Sequence, residues 1–367
     1  MPPEPDPRIN IRAVENLLSG WAMKLLSVNG LRNLVASMGQ EAFYRAVLKT
    51  LEDDFLRWAE FIKTPRLATH YPFGVIELMP CADQQFYSFK YVNGHPHNTQ
   101  RGKLCVVALG ILADVESGYP LLFSEMTLLT AIRTAAVTAL AARCLARPDS
   151  RHLAMIGTGA QAEFQVSMVA QVLKLERVTY FDLDPRAMGK FTRNMRSSGL
   201  YLQPCESIQQ AVQDADMIIT ATAAKQVNDL IKLDWLKCGV HIHAMGGDCP
   251  GKTELGQDLL KASKIVVEYR QQSLLEGEVQ NLDDSAVYAE LWQLLAGQLP
   301  GRESETELTL CDAVGFALED FSIIKLLYDY SNREPYRDHF EDIAMLPTMA
   351  DPKDLYGVFV QTEPDIS

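Results

Sequence analysis

The residues best suited to chemistry in this 367-residue chain begin at a glycine turn. Gly157, Gly159 and Ala162 form a G-x-G-x-x-A string, with an apolar strand expected over 152–156 and a helix over 163–173. A second strand, 178–181, runs into Asp182. Each part suits a dinucleotide. Gly157 permits the sharp turn, Gly159 lets a pyrophosphate approach the backbone, and Ala162 allows helix and strand to pack closely. The N–H groups at the helix start then meet phosphate charge. A carboxylate at Asp182 binds the ribose diol of NAD and repels the extra phosphate of NADP. The string alone is a weak signal; the flanking strands and the acid make it specific.

Other charged residues stand where charge is costly. Arg66 follows a helix, and Glu77 (VIELMP) and Lys90 (FKYVNGHP) lie inside otherwise apolar strands. Such a charge must be paired, face a ligand, or sit on a solvated alternate face. Arg133 is the single cation in the first three turns of a helix expected over 124–146, with Ser124 as its cap and Glu125 in its first turn. Its small neighbours point it into a cleft. Asp248 follows Gly246 and Gly247 at a strand end, where a carboxylate is either a helix cap or a catalytic group. His95 with His97, and His241 with His243, each place two imidazoles on one strand face without a nearby third ligand, so no metal site is expected.

These residues need elements to hold them. Residues 11–62 read as helical, with Leu17, Leu18, Trp21, Leu25 and Leu26 at helical spacing and a second amphipathic helix over 41–58. Residues 64–120 change to short strands and turns with no helix between them, an α+β pattern. From 151 onward strands alternate with helices: strands at 201–204, 216–222, 240–245 and 264–268, and helices at 186–197, 207–215 and 255–261. That alternation predicts a doubly wound parallel sheet with ligands at the carboxyl ends of its strands. A strand at 308–312 precedes a last helix, and the chain after 331 reads as a surface tail.

Length implies two domains, because single cores rarely exceed about 250–300 residues. Apolar content of 47% and a net charge of −13 fit a globular protein and disfavour nucleic acid or an anionic membrane as partner. No apolar run approaches the roughly 18–20 residues of a membrane span. The opening MPPEPDPRIN lacks the pattern of a signal peptide. Seven scattered cysteines, none spaced C-x-x-C, read as reduced thiols in a cytoplasmic setting.

Several strings together resemble the ornithine cyclodeaminase/mu-crystallin family: RLATH…GVIELMP, FKYVNGHP, GILADVESGYP, AIRTAA, GTGAQAEFQ, GGDCPGKTEL, VEY…EGE and VGFALEDF. The resemblance runs from about 51 to 355. It implies a Rossmann doubly wound NAD domain (131–320) and an α+β substrate-binding and dimerisation domain (1–130, with 321–367 returning to it). It also implies a homodimer. The implied reaction takes L-ornithine to proline and ammonia by hydride transfer to NAD, attack of the δ-amine on the imine, and hydride return. An amino-acid dehydrogenase, an imine reductase or a lysine cyclodeaminase on the same scaffold is the alternative. Carried over by position, Arg66, Lys90 and Arg133 hold the substrate carboxylate, and Glu77 and Asp248 meet its amines. Asp248 is the base and Lys90 a further candidate for proton transfer. Cys105, Gly157, Gly159, Ala160, Gln161, Asp182, Thr222 and Lys252 line the cofactor. Cys105 and Ala313 replace a threonine and a serine of the relatives, which puts the identity of the amino acid in question.

Overall fold

The computed structural model describes residues 23–223, 229–247, 249–347 and 351–360. The opening leader, Leu17, Leu18, Trp21 and Asp248 lie outside them. The strands are β1 (Met23–Leu26), β2 (Ile62–Lys63), β3 (Leu67–Tyr71), β4 (Gly74–Ala82), β5 (Phe86–Gly94), β6 (Val106–Asp114), β7 (Pro120–Glu125), β8 (His152–Ile156), β9 (Arg177–Phe181), β10 (Tyr201–Pro204), β11 (Met217–Thr220), β12 (His241–Ala244), β13 (Lys264–Val267), β14 (Val287–Glu290), β15 (Thr309–Asp312) and β16 (Glu341–Ile343). The helices are α1 (Val28–Met38), α2 (Gln40–Leu56), α3 (Thr127–Leu145), α4 (Ala162–Val169), α5 (Pro185–Met195), α6 (Ile208–Val212), α7 (Gln257–Ala262), α8 (Arg270–Glu276), α9 (Leu291–Leu295) and α10 (Ala317–Ser331).

The first sheet runs β16-β1-β7-β6-β5-β4-β2, with β3 also on β4. Its long strands pair antiparallel, and register decides which charges turn inward. Glu77 lies opposite Val92 and Met79 opposite Lys90. Because alternate residues share a face, Glu77, Met79, Ser88, Lys90 and Val92 all face inward and are buried. The solvated alternate face considered for Glu77 and Lys90 is therefore not where they lie. That inner face packs on α10.

The second sheet is wholly parallel, in the order β10-β9-β8-β11-β12-β15-β13-β14. The chain leaves β8 toward β9 and β10, then returns to β11 on the other side. The crevice between β8 and β11 is thus the switch point where such sheets bind ligands. An aromatic cluster ties this half to the N-terminal helices: Trp58 stacks on Trp292 at 5.8 Å, and Tyr269 stacks on Phe316 at 4.6 Å.

Several expectations need correction. Leu25 and Leu26 belong to a strand, because β1 pairs in parallel with β7 and tertiary pairing overrides their helical spacing. Ser124 and Glu125 end β7, which pairs with β6, so the long helix starts only at Thr127. The cap position is Met126 and not Ser124, and Glu125, just ahead of the helix and not in its first turn, accepts through Oε1 from Leu128 N at 2.8 Å. That helix, 19 residues with mean hydropathy 1.5, is long and apolar enough to cross a membrane by length and composition. No run of that kind was expected. It lies in the interior, with Ala135 to Ala142 all buried. The chain beyond 331 is more than a tail, since β16 extends the first sheet beside β1. Over 269–300, helices α8 and α9 and strand β14 form where no element was expected.

Candidate active site

At the switch point the sequence dictates a turn that only glycine makes comfortably. Gly157 has φ +93°, and a Cβ there would lie 2.5 Å from Ala221 O on the neighbouring strand. Its N–H donates to Phe181 O at 2.9 Å, which fixes the turn to β9. A Cβ at Gly159 would meet nothing within 4 Å, so the backbone there stays open to a ligand. Ala160 is exposed, Gln161 caps α4, and Ala162 is fully buried against the sheet. Thr158 N donates to Asp182 Oδ2 at 2.6 Å, and Asp184 N donates to Oδ1 at 2.9 Å. Asp182 is thus held beside the turn, half-buried. A cavity of about 490 Å³ lined by Thr158, Gly159, Ala160, Glu163, Phe164 and Lys190, among others, opens at the glycine turn and the start of α4. Open backbone N–H groups, a glycine-walled turn and a carboxylate at the strand end fit a dinucleotide.

Where the chain leaves β15, Val314 and Gly315 meet a cluster of buried charge from the first sheet, α3 and α10. Arg66 Nη1 lies 3.2 Å from both Glu77 oxygens, and Nη2 donates to Val314 O (2.6 Å) and Gly315 O (2.8 Å). Its Nε lies 3.1 Å from Glu276. Lys90 Nζ sits 2.8 Å from both oxygens of Asp320. Arg133 Nε donates to Asp320 Oδ1 at 2.9 Å, while Nη1 pairs with Glu319. Arg133 is 3% exposed, so it projects into this network and not into an open cleft. Gly315 knits the cluster together. Its φ is +79°, a Cβ would lie 2.9 Å from Arg133 Nη1, and its N–H donates to Glu268 at 2.7 Å.

Burial sets the protonation of these groups. It lowers Lys90 to about 8, with Arg133 adding to the effect and Asp320 opposing it. It raises Glu268 well above the carboxylate range, helped by neighbouring Glu319. It also raises Glu278 to about 8, helped by Asp312.

The remaining expected residues fall around these two clusters. Thr222, just beyond β11, donates through N and Oγ1 to Glu254 Oε1 at 2.7 and 2.5 Å. Lys252 is buried, and its carbonyl accepts from Gln280 at 3.0 Å. Cys105 is partly buried ahead of β6, its carbonyl accepting from His95 N at 2.9 Å. Ala313 is buried and donates from its backbone to Ala244 O at 2.8 Å. Asp248 itself is not described, but its flanks are. Glu254 Oε2 accepts from Gly246 N at 3.1 Å, and Glu278 accepts from Glu254 N and Leu255 N at 2.8 and 2.9 Å.

Sequence reasoning missed Glu254, Glu268, Glu276, Glu278, Glu319 and Asp320. Glu319 and Asp320 carried the signal that marked Glu77, being acids inside an apolar run (GFALEDFSIIKLL). His241 and His243 bond to Thr309 at 3.0 Å and Thr138 at 2.9 Å, and among the described residues no group of three or more His, Cys, Asp or Glu could hold a metal ion.

A parallel α/β sheet with a glycine turn at its switch point, closed by a charged cluster from a second sheet, defines a Rossmann-type enzyme. The chain belongs to the ornithine cyclodeaminase/mu-crystallin family, whose profile matches residues 30–334. It is 45% identical over 338 residues to an ornithine cyclodeaminase of Agrobacterium fabrum, covering 92% of this chain and 95% of that one. Among solved structures it is similar to a lysine cyclodeaminase described as recognising L-lysine, L-ornithine and L-2,4-diaminobutyric acid. There the TM-score is 0.85 and identity 29%, over 91% of this chain and 99% of the other. It is also similar to an archaeal alanine dehydrogenase dimer with bound NAD. That likeness has TM-score 0.80 and 28% identity, over 88% and 99% of the two chains.

Proposed function

We propose that this enzyme is an NAD-dependent ornithine cyclodeaminase, forming L-proline and ammonia from L-ornithine. The observation that carries the reading is near-full-length identity of 45% to a protein of that name. The buried cluster supports it. Arg66, Lys90 and Arg133 suit an α-carboxylate, with the guanidinium forks favouring bidentate contact. Glu77, Glu276, Glu319 and Asp320 outnumber those cations. A surplus of negative charge suits a substrate with two ammonium groups and one carboxylate.

Gly157, Gly159, Ala160, Gln161 and Asp182 would hold the cofactor, with Cys105, Thr222 and Lys252 at its substrate end. Bound NAD supplies reversible hydride acceptance at the substrate Cα. The three cations fix the carboxylate and so orient Cα. Asp248 would take a proton from the δ-ammonium, because an ammonium has no lone pair with which to attack. Glu77 would pair with a substrate amine, and Lys90, a cation at neutral pH whose pKa burial lowers to about 8, is suited to proton transfer. In this reading residues 1–130 and 321–367 form the substrate-binding and dimerisation domain, and 131–320 the NAD domain. A homodimer is supported by the outer face of the first sheet. There Leu67, Leu78, Tyr91 and Leu109 adjoin across four strands and are 61%, 42%, 36% and 42% exposed. A cytoplasmic setting fits thiols such as Cys81, which burial raises to about 12.

The test is product analysis. With L-ornithine and catalytic NAD⁺ the enzyme forms proline and ammonia in equal amounts and accumulates no NADH. Stoichiometric NADH would overturn the reading in favour of a dehydrogenase. Lysine is the competitor of interest, given the likeness to a lysine cyclodeaminase, and one methylene contributes only about 1–3 kcal/mol of discrimination.

A further inference from the structure

Lys90 and Arg133 reach the cluster from different elements, β5 and α3, and both end on one carboxylate. Asp320, in the first turn of α10, lies 2.8 Å from Lys90 Nζ through either oxygen and 2.9 Å from Arg133 Nε through Oδ1. The far side of the Arg133 guanidinium is taken by Glu319. The side chains of these four residues are at most 4% exposed. Two cations so close, with little water to screen them, repel strongly unless an anion lies between them. No sequence motif assigns Asp320 a role.

We infer that Asp320 is a positioning residue, the counter-ion that lets Lys90 and Arg133 stand side by side as cations in the substrate site. The inference rests on the proposed role of these two cations in binding the substrate carboxylate. Asp320 acts through them and does not itself need to touch the amino acid. Among the described residues the other charges near Lys90 repel it or are engaged elsewhere. Arg133 from α3 and Arg66 ahead of β3 both oppose its charge, and Glu319 from α10 is engaged by Arg133. Glu77 lies on the same sheet face but faces Arg66, and Cys81, further along that face, is a neutral thiol. Asp320 is thus, among the described residues, the anion in direct contact with the ammonium.

The sign of the effect follows. Lys90 is already lowered to about 8, with Asp320 as the first upward influence on it. Without that carboxylate the ammonium loses its proton at lower pH, and carboxylate binding weakens with it.

The experiment follows KM and kcat against pH, from about 6 to 9.5, for wild type, Asp320→Asn and Lys90→Met. It uses whichever diamino acid the wild type turns over best; comparison at one substrate cancels the substrate's own titration. In wild type KM rises as pH passes about 8. In Asp320→Asn that rise begins at least about one pH unit lower, which is a tenfold change in the proton equilibrium. Lys90→Met shows no such break, and NAD affinity by NADH fluorescence stays within about twofold in all three. A folded Asp320→Asn with an unmoved break, or with KM raised equally at every pH, overturns the inference. If Asp320→Asn does not fold, the Lys90→Met/Asp320→Asn double variant decides. It regains a cooperative thermal melt if the unpaired lysine was the cause, and a double variant that also fails to fold overturns the inference. Absence of turnover with any amino acid would instead overturn the functional reading, and the melting comparison would still judge Asp320.

Discussion

Around Gly157 the protein offers a ligand backbone N–H groups and open space, whereas around Arg133 it offers side-chain charge packed almost beyond reach of water. On the first side recognition depends on what is missing: a Cβ at 157, a contact at 159, a bulky side chain at 162. On the second it depends on what has been assembled, since Arg66, Lys90, Arg133 and Asp320 come from four separate segments. A backbone cradle tolerates changes nearby but not a change of its own conformation. A charge network tolerates modest movement but not the loss of one partner, because that leaves an uncompensated buried ion.

Three substitutions test this contrast. The largest effect is expected at Gly157→Val. A β-branched residue at φ +93°, with its Cβ 2.5 Å from a carbonyl oxygen, must displace the turn. NADH affinity, read by fluorescence titration, falls by about a hundredfold or more, roughly 2.7 kcal/mol. Retained affinity would remove the backbone from the centre of nucleotide recognition. Asp182→Asn comes next. It keeps an acceptor for Thr158 N but removes the charge that repels a 2′-phosphate. The preference for NAD over NADP in competition binding narrows by roughly tenfold, about 1.4 kcal/mol. An unchanged preference would mean that the strand-end charge is not what discriminates. The smallest effect is expected at Cys105→Thr, which exchanges a weak thiol donor for a hydroxyl. A neutral hydrogen bond contributes about 0.5–1.5 kcal/mol, so kcat/KM rises by a few-fold. A fall would place Cys105 among groups selected for this enzyme's own substrate.

The same contrast explains what could be read before the fold was known. The nucleotide side is local: strand, turn, helix, strand and acid lie within 152–182, and β8, β9 and Asp182 stand where that pattern predicts. The charged side is not local. Glu77 and Lys90 could be flagged as charges in apolar strands, and Arg133 as a lone cation in an apolar helix. Their partners could not be paired with them, because Lys90 and Asp320 are separated by 230 positions. Glu125 shows the same limit on a smaller scale. The sequence points to Ser124 as the cap with Glu125 in the first turn, yet pairing of β7 with β6 delays the helix by three residues, and Glu125 accepts from Leu128 N from just ahead of it. Leu25 and Leu26 carry helical spacing but follow β7 instead. The strand β16 is too short for its own pattern to mark it, and only the edge of β1 makes it a strand.

The path of the chain has a consequence for recombining this enzyme with its relatives. The first sheet takes β1 through β7 from the beginning of the chain and β16 from near its end, while β8 through β15 lie wholly in the second. A nucleotide-binding half can therefore be exchanged only as an insert with two junctions. One falls near Met126, between β7 and α3, and the other near Phe316, between β15 and α10. The second junction lies beside Val314 and Gly315, whose carbonyls hold Arg66. A graft that matches both sheets but shifts this short connection would separate the halves in register though not in sequence.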